Sequence, residues 1–146
     1  LAPRHYIVRT SWVIGVGNNF VRTMASLAAR GIDPKVVADQ TGRLTFTDEL
    51  ARGILHLLDS SAPYGTYNLT GGGEPQTWAD IAQAVYEITG HDGARVTPVS
   101  TPEYYATATS AISPRPSNSV LDLSKIEATG FVPRDAAVSL ADYLRE

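Results

Sequence analysis

The sequence has no cysteine and only two lysines, Lys35 and Lys125, and each shortage removes a class of function. Without cysteine there is no disulfide framework, no thiolate nucleophile and no thiolate metal site, which fits a reducing compartment and makes the cytoplasm the expected location. With a formal net charge of -3 the chain projects no basic field, so nucleic acid is not an expected partner. No apolar run approaches the roughly 20 residues that span a bilayer, and no secretory signal opens the chain, so no membrane association is expected. Histidine is also scarce: His5, His56 and His91 are scattered, and His56 has no second ligand at i+4, which argues against a metal site. No Gly-x-Ser-x-Gly elbow is present, and no tyrosine is followed by a lysine one helical turn later. The chain carries no catalytic engine that the sequence makes visible.

What is present is enough apolar residue, 43% of 146, to build the core of a single domain. Tyr6 to Val13 reads as a strand hydrophobic enough to be buried on both faces of a parallel sheet. Only Leu1 to His5 precede it, so the chain is expected to be the back half of a larger α/β protein. Asn18 or Asn19 then caps a helix carrying Phe20, Met24, Leu27 and Ala28 on one face, with Gly31 past its end. A strand at Val36 to Ala38 follows, and Thr47 is expected to cap a helix with Asp48 and Glu49 in its first turn. The apolar face of that helix is read as Leu50, Ile54, Leu57 and Leu58. Thr66 to Leu69 forms the next strand, and Thr77 with Asp80 makes a capping-box start for a helix through Ile81, Val85 and Ile88. Arg95 to Val99 reads as a strand, Thr101 to Ser119 as irregular chain, and Asp135 as the cap of a last helix. Alternation of this kind predicts an α/β fold of mainly parallel strands with covering helices, in one domain.

Two glycine-rich segments invite a phosphate reading. Gly15-Val16-Gly17-Asn18-Asn19-Phe20 lies between strand and helix, and Asp39 follows at about the distance of a ribose-binding acid. Phe20 stands where close helix packing needs the third glycine, which favours a structural turn over a pyrophosphate cradle. Gly71 to Gly73 is followed by Glu74 and Pro75, a carboxylate and a missing N–H where an anion needs donors, so it too reads as a turn. Three other residues suit an anionic, ring-containing ligand. Trp12 follows the first strand where parallel sheets open their crevice, and is either a ligand-facing indole or a core one. Arg115, between Pro114 and Pro116, offers a donor fork for a pyrophosphate, although spacing alone fits a solvated surface arginine equally well or better. Gln40, in a polar turn, can hydrogen-bond a base or a sugar hydroxyl.

Taken together, Arg9 to Gly15 with Asn19-Phe20-Val21, Val37 to Gly42 with Thr45 and Asp48 to Ala51, Thr66 to Leu69 through Trp78, Ile81 and Ala82, and Glu103-Tyr104 with Arg115 to Ser119 and Leu121-Asp122 resemble a known family. They are similar to the C-terminal half of the dTDP-4-dehydrorhamnose reductases, extended short-chain dehydrogenase/reductases with a Rossmann-like fold. Such enzymes protonate the substrate through a tyrosine whose pKa a nearby lysine lowers. The resemblance implies that residues 1–146 are a single nucleotide-sugar-binding portion. It places the dinucleotide-binding half, with the catalytic tyrosine and lysine, on preceding polypeptide. It implies that Thr10 and Ser11 lie near the nicotinamide of NADPH or NADH, that Trp12 packs on the sugar and Gln40 lines its pocket, that Arg115 holds the diphosphate, and that Asn118 and Ser119 shape that loop. The substrate implied is a dTDP-sugar, dTDP-4-dehydro-L-rhamnose, and some relatives use Mg2+, whose ligands cannot be mapped onto this sequence. Leu44 replaces the family's usual proline, and Tyr105 to Ser113 is longer and blander than the family's equivalent, which leaves the sugar itself open. The bifunctional epimerase–reductases fit the same residues. A different outcome is a non-catalytic relative such as the regulatory subunit of methionine adenosyltransferase, which acts by binding another protein. A bared sheet edge would favour a homodimer or exchange of elements between copies.

Overall fold

In the computed structural model, which describes residues 3–145, the order opens with β1 (Tyr6–Arg9), β2 (Val13–Ile14), α1 (Phe20–Ala29), β3 (Lys35–Val37), β4 (Thr41–Gly42), β5 (Thr45–Phe46) and α2 (Thr47–Asp59). It continues with β6 (Gly65–Asn68), β7 (Gln76–Thr77), α3 (Trp78–Ile88), β8 (Thr97–Val99), α4 (Thr101–Tyr104), α5 (Ser124–Glu127) and α6 (Ala136–Tyr143). β1 runs parallel to β6, β2 to β5 and β3 to β8, while β4 and β7 pair antiparallel. The fold is thus α/β with mainly parallel pairing, as the alternation predicts, in four two-stranded ladders.

The long first strand does not form as one piece. Trp12 adopts φ 50, a left-handed conformation that a bulky residue rarely takes, and it divides β1 from β2 so that the two find different partners. Nor is β1 buried on both faces: Tyr6 and Val8 pack against the core, whereas Ile7 is 50% exposed. Among the described residues no element covers that second face.

The helices follow their caps. Asn19 accepts from Arg22 N–H at 3.0 Å and starts α1, and the Thr77/Asp80 capping box starts α3 as expected. Asp135 accepts from the Ala137 and Val138 N–H groups at the head of α6. Helix α2 differs. Phe46 is its N-cap and makes no side-chain cap bond, while Thr47 is the first helical residue and packs on Gly15, where an added Cβ would lie 2.7 Å from Thr47 Cγ2. Of the predicted stripe Leu57 is buried and Leu50 partly buried, but Glu49 and Gly53 complete the buried face, and Ile54 and Leu58 are exposed. The anchor is polar: Glu49, 3% exposed, accepts from Arg134 N–H at 2.7 Å and pairs with Arg52, which turns that side of α2 inward. The predicted strand from Arg95 begins later, because Asp92 starts a 3-10 turn over Gly93–Arg95. Ser100 caps the short α4, after which the chain is irregular to Ser119, and α5 lies in a segment where no helix was expected.

Two cores result. Val21 and Met24 of α1, Val36 of β3, and Ile81, Val85 and Tyr86 of α3 form the larger with Phe46 and Leu140. Leu57, Tyr67, Leu69, Ile126 and Phe131 form the smaller under β1 and β6. Trp12 and Phe20 pack at the margin of the larger core, and there the surface opens.

Candidate functional site

The first turn of α1, the end of β3, the start of α3 and the loop before Val120 converge on a cleft of about 580 Å³. Its walls include Ser11, Trp12, Gln40, Arg115 and Ser119, five of the seven residues expected to bind ligand or cofactor. Asn118 lines a neighbouring polar cleft instead, with Arg43 and Asp122. Thr10 is exposed and lies on neither.

Backbone pairing brings these distant segments together. Thr41 N–H donates to Ser117 O at 2.9 Å and Ser119 N–H to Thr41 O at 2.7 Å, so the Arg115 loop is stitched onto β4 beside Gln40. Ser11 Oγ adds a bond to Ser119 O at 3.3 Å, and Asn118 Oδ1 accepts from Val120 N–H at 2.8 Å, closing a local turn. The guanidinium of Arg115 forms no hydrogen bond or ion pair with any described residue, which leaves its planar donor fork available to an anion.

Aromatic and apolar groups also line the cleft. Trp78 stacks on Trp12 with ring centroids 3.9 Å apart and planes 20° from parallel, and Phe20 tilts against Trp78 at 4.6 Å. Trp78, Phe20, Met24, Tyr104 and Tyr105 were not singled out as site residues by sequence reasoning. A signal existed for Trp78: it follows the Thr77 cap directly, and an indole at a helix's first position stands at the end of the element instead of inside the core. Gln40, 8% exposed, donates from Nε2 to Thr101 Oγ1 at 3.1 Å, and Thr101 in turn bonds Asp39 through both its hydroxyl and its N–H. Those two bonds, the hydroxyl's first, hold the Asp39 carboxyl below the usual aspartate range. Asp39 therefore anchors α4 and is occupied as an acceptor.

The residues present do not form a dinucleotide cradle. Asn19 Nδ2 donates to the Gly15 and Gly17 carbonyls at 3.0 and 3.2 Å, and Thr47 fills the space over Gly15, so this turn is closed on itself. In the second glycine run, Gly71 and Gly72 serve close backbone packing: a Cβ at Gly71 would lie 2.2 Å from Leu44 O, and Gly72 bridges to Asp135. Among the described residues no three His, Cys, Asp or Glu side chains gather as a metal site, and no helix is long and apolar enough to cross a membrane.

The chain is thus an α/β unit with an aromatic-lined cleft and, beside it, an arginine whose guanidinium has no partner among the described residues. The family profile described as "RmlD substrate binding domain" matches residues 1–146, and the chain belongs to that family. It is 39% identical over 141 residues to the spore coat polysaccharide biosynthesis protein SpsK of Bacillus subtilis, covering 96% of this chain and 47% of that protein. A crystal structure of a dTDP-4-dehydrorhamnose reductase from Clostridium acetobutylicum superposes with TM-score 0.83 at 39% identity, over 96% of this chain and 48% of that one. A dTDP-4-dehydrorhamnose reductase from Bacillus anthracis in complex with NADP gives 0.79 at 33% identity, over 96% and 47%. The chain spans about half the length of the curated relatives it matches.

Proposed function

We propose that this chain is the sugar-nucleotide-holding portion of an NAD(P)H-dependent reductase acting on dTDP-4-dehydro-L-rhamnose. The observation that carries the reading is the convergence of Trp12, Gln40, Arg115 and Ser119, from segments more than a hundred residues apart, on one cleft. In it Arg115 grips the diphosphate, Gln40 and Ser119 hydrogen-bond the nucleoside or sugar, and the Trp12 wall packs on the ring system. Asn118 shapes the loop that carries Arg115. NADPH or NADH would be held mainly by polypeptide outside these residues, with Thr10 and Ser11 nearest the nicotinamide. The proton donor to the reduced C4 oxygen would come from that same polypeptide, so this chain alone is expected to be inactive.

The direct test is binding. Trp12 and Trp78 are the only tryptophans, and both line the cleft, so intrinsic fluorescence reports its occupancy. Titration with dTDP and dTDP-L-rhamnose is expected to quench that emission saturably, while NADPH and NADH at the same concentrations give no saturable change. Saturable NADPH binding without a response to either dTDP compound would overturn the reading.

A further inference from the structure

The side chain of Gln40 ends in a carbonyl and an amino group of opposite hydrogen-bonding sense, and its neighbours decide which end meets the cleft. Thr101 Oγ1 lies 2.5 Å from Asp39 Oδ1, and Thr101 N–H donates to Asp39 Oδ2 at 2.9 Å. An ionised carboxylate only accepts, so the single hydroxyl proton of Thr101 points to Asp39. The Asp39 carboxyl, held below its ordinary range by these same bonds, is ionised at neutral pH. The Thr101 oxygen is then an acceptor toward its other neighbour, and the group that Gln40 turns to it at 3.1 Å must be the amino end. The carbonyl oxygen of Gln40 takes no hydrogen bond from any described residue, and the side chain, 8% exposed, lines the cleft. That oxygen is not buried, so solvent reaches it and it is open to a donor from a ligand in the cleft.

We propose that Asp39 and Thr101 are positioning residues that fix Gln40 with its carbonyl oxygen toward the cleft, so that the site selects a ligand presenting an N–H or O–H donor at that point. The identity of the ligand rests on the sugar-nucleotide reading, in which the donor is the imide N–H or a hydroxyl of the nucleoside, or a hydroxyl of the hexose. A site built to meet such a donor discriminates against an analogue that lacks it more sharply than an apolar contact does.

Two measurements on the chain test this. In the first, hydrogen exchange of the Gln40 side-chain amide is followed by nitrogen-15 NMR without ligand. A protected proton is expected in the wild type and in Thr101→Ser, and its loss is expected in Thr101→Val. In the second, dTDP and dTDP-L-rhamnose are titrated by tryptophan fluorescence. Thr101→Val and Asp39→Asn are expected to weaken binding about tenfold, the latter because an asparagine amide can donate to Thr101 and release Gln40 to flip, while Thr101→Ser stays within about twofold of wild type. A loss seen with dTDP-L-rhamnose alone assigns the donor to the hexose, and a loss with both assigns it to the nucleoside. The proposal is overturned if folded Thr101→Val binds both compounds as the wild type does, or if the Gln40 amide exchanges equally fast in the two. Should the wild type bind neither compound, the sugar-nucleotide reading fails, and the amide exchange still decides the orientation.

Discussion

The indole of Trp12 is covered on both faces, by Trp78 at a centroid distance of 3.9 Å and by the backbone of Gly42. A Cβ added at Gly42 would sit 2.8 to 2.9 Å from Cε2, Cδ2 and Cζ2 of Trp12, with these as its three nearest heavy atoms and none from Trp78. A point that close above the ring on the stacked side would meet Trp78 first, so Gly42 and Trp78 lie on opposite faces. A ligand in the cleft would therefore meet only the edge of this indole.

Gly42→Ala is expected to push Trp12 out of the stack, since the contact is far inside van der Waals range and both sides are rigid. Stacked indoles share excitation, so the near-ultraviolet circular dichroism of the pair should lose intensity in Gly42→Ala and equally in Trp78→Phe. An unchanged spectrum in a folded Gly42→Ala protein would show that the glycine has no such role.

Arg115→Ala removes a guanidinium without other commitments, so its effect should fall on binding and leave the melting temperature within a degree or two of wild type. The expected loss for a dTDP ligand is roughly 1 to 3 kcal/mol, the range for a hydrogen bond to a charged group. Calorimetric titration of both proteins measures it, and equal affinities would remove Arg115 from the site.

Thr45 is fully buried, and its hydroxyl finds no hydrogen-bond partner among the described residues. Thr45→Val keeps the branched shape and its strand pairing with Val13 while removing the unmet polar atom. Chemical denaturation should show the variant more stable by about 1 kcal/mol. A variant less stable than wild type would mean the hydroxyl is satisfied.

Asp39 and Asp122 are both held below the usual aspartate value, first by the side-chain hydroxyls of Thr101 and Ser124 and then by the N–H groups of the same residues. The folded chain thus binds fewer protons than the unfolded one between the lowered values and the ordinary one of about 3.9. Their stabilisation is complete above that ordinary value and disappears as pH falls through the lowered ones. Stability measured from pH about 5 downward should decline less steeply in Asp39→Asn than in wild type. Parallel acid limbs would contradict this.

The ladder of β1 with β6 has no further strand on either edge among the described residues, and Ile7 of β1 is 50% exposed. Unpaired edges beside apolar surface favour association of copies. Sedimentation velocity is expected to show concentration-dependent growth that Ile7→Lys reduces, and a monomer at every loading would count against it.

The local elements were legible because their causes are local. Asn19, Thr77 and Asp135 announce their helices through side-chain oxygens that meet the first N–H groups, and the alternation of apolar strands with these helices fixed the α/β class. Trp12, Gln40, Arg115 and Ser119 could be nominated from chemistry and from resemblance to a family. What sequence periodicity could not supply is how segments distant in sequence compete for partners. The break at Trp12 depends on β2 pairing with β5 while β1 pairs with β6, and the buried face of α2 depends on Glu49 meeting Arg134, 85 residues away. Likewise Trp78 entered the site only when the β4 and β7 pairing set it against Trp12, and Thr101 only when the pairing of β3 with β8 brought it to Asp39. Sequence alone determined where the capped helices α1, α3 and α6 begin and which residue types can bind an anion. Tertiary structure decided which of those residues share a cleft and which end of Gln40 faces it, because both follow from contacts between segments that no local pattern connects.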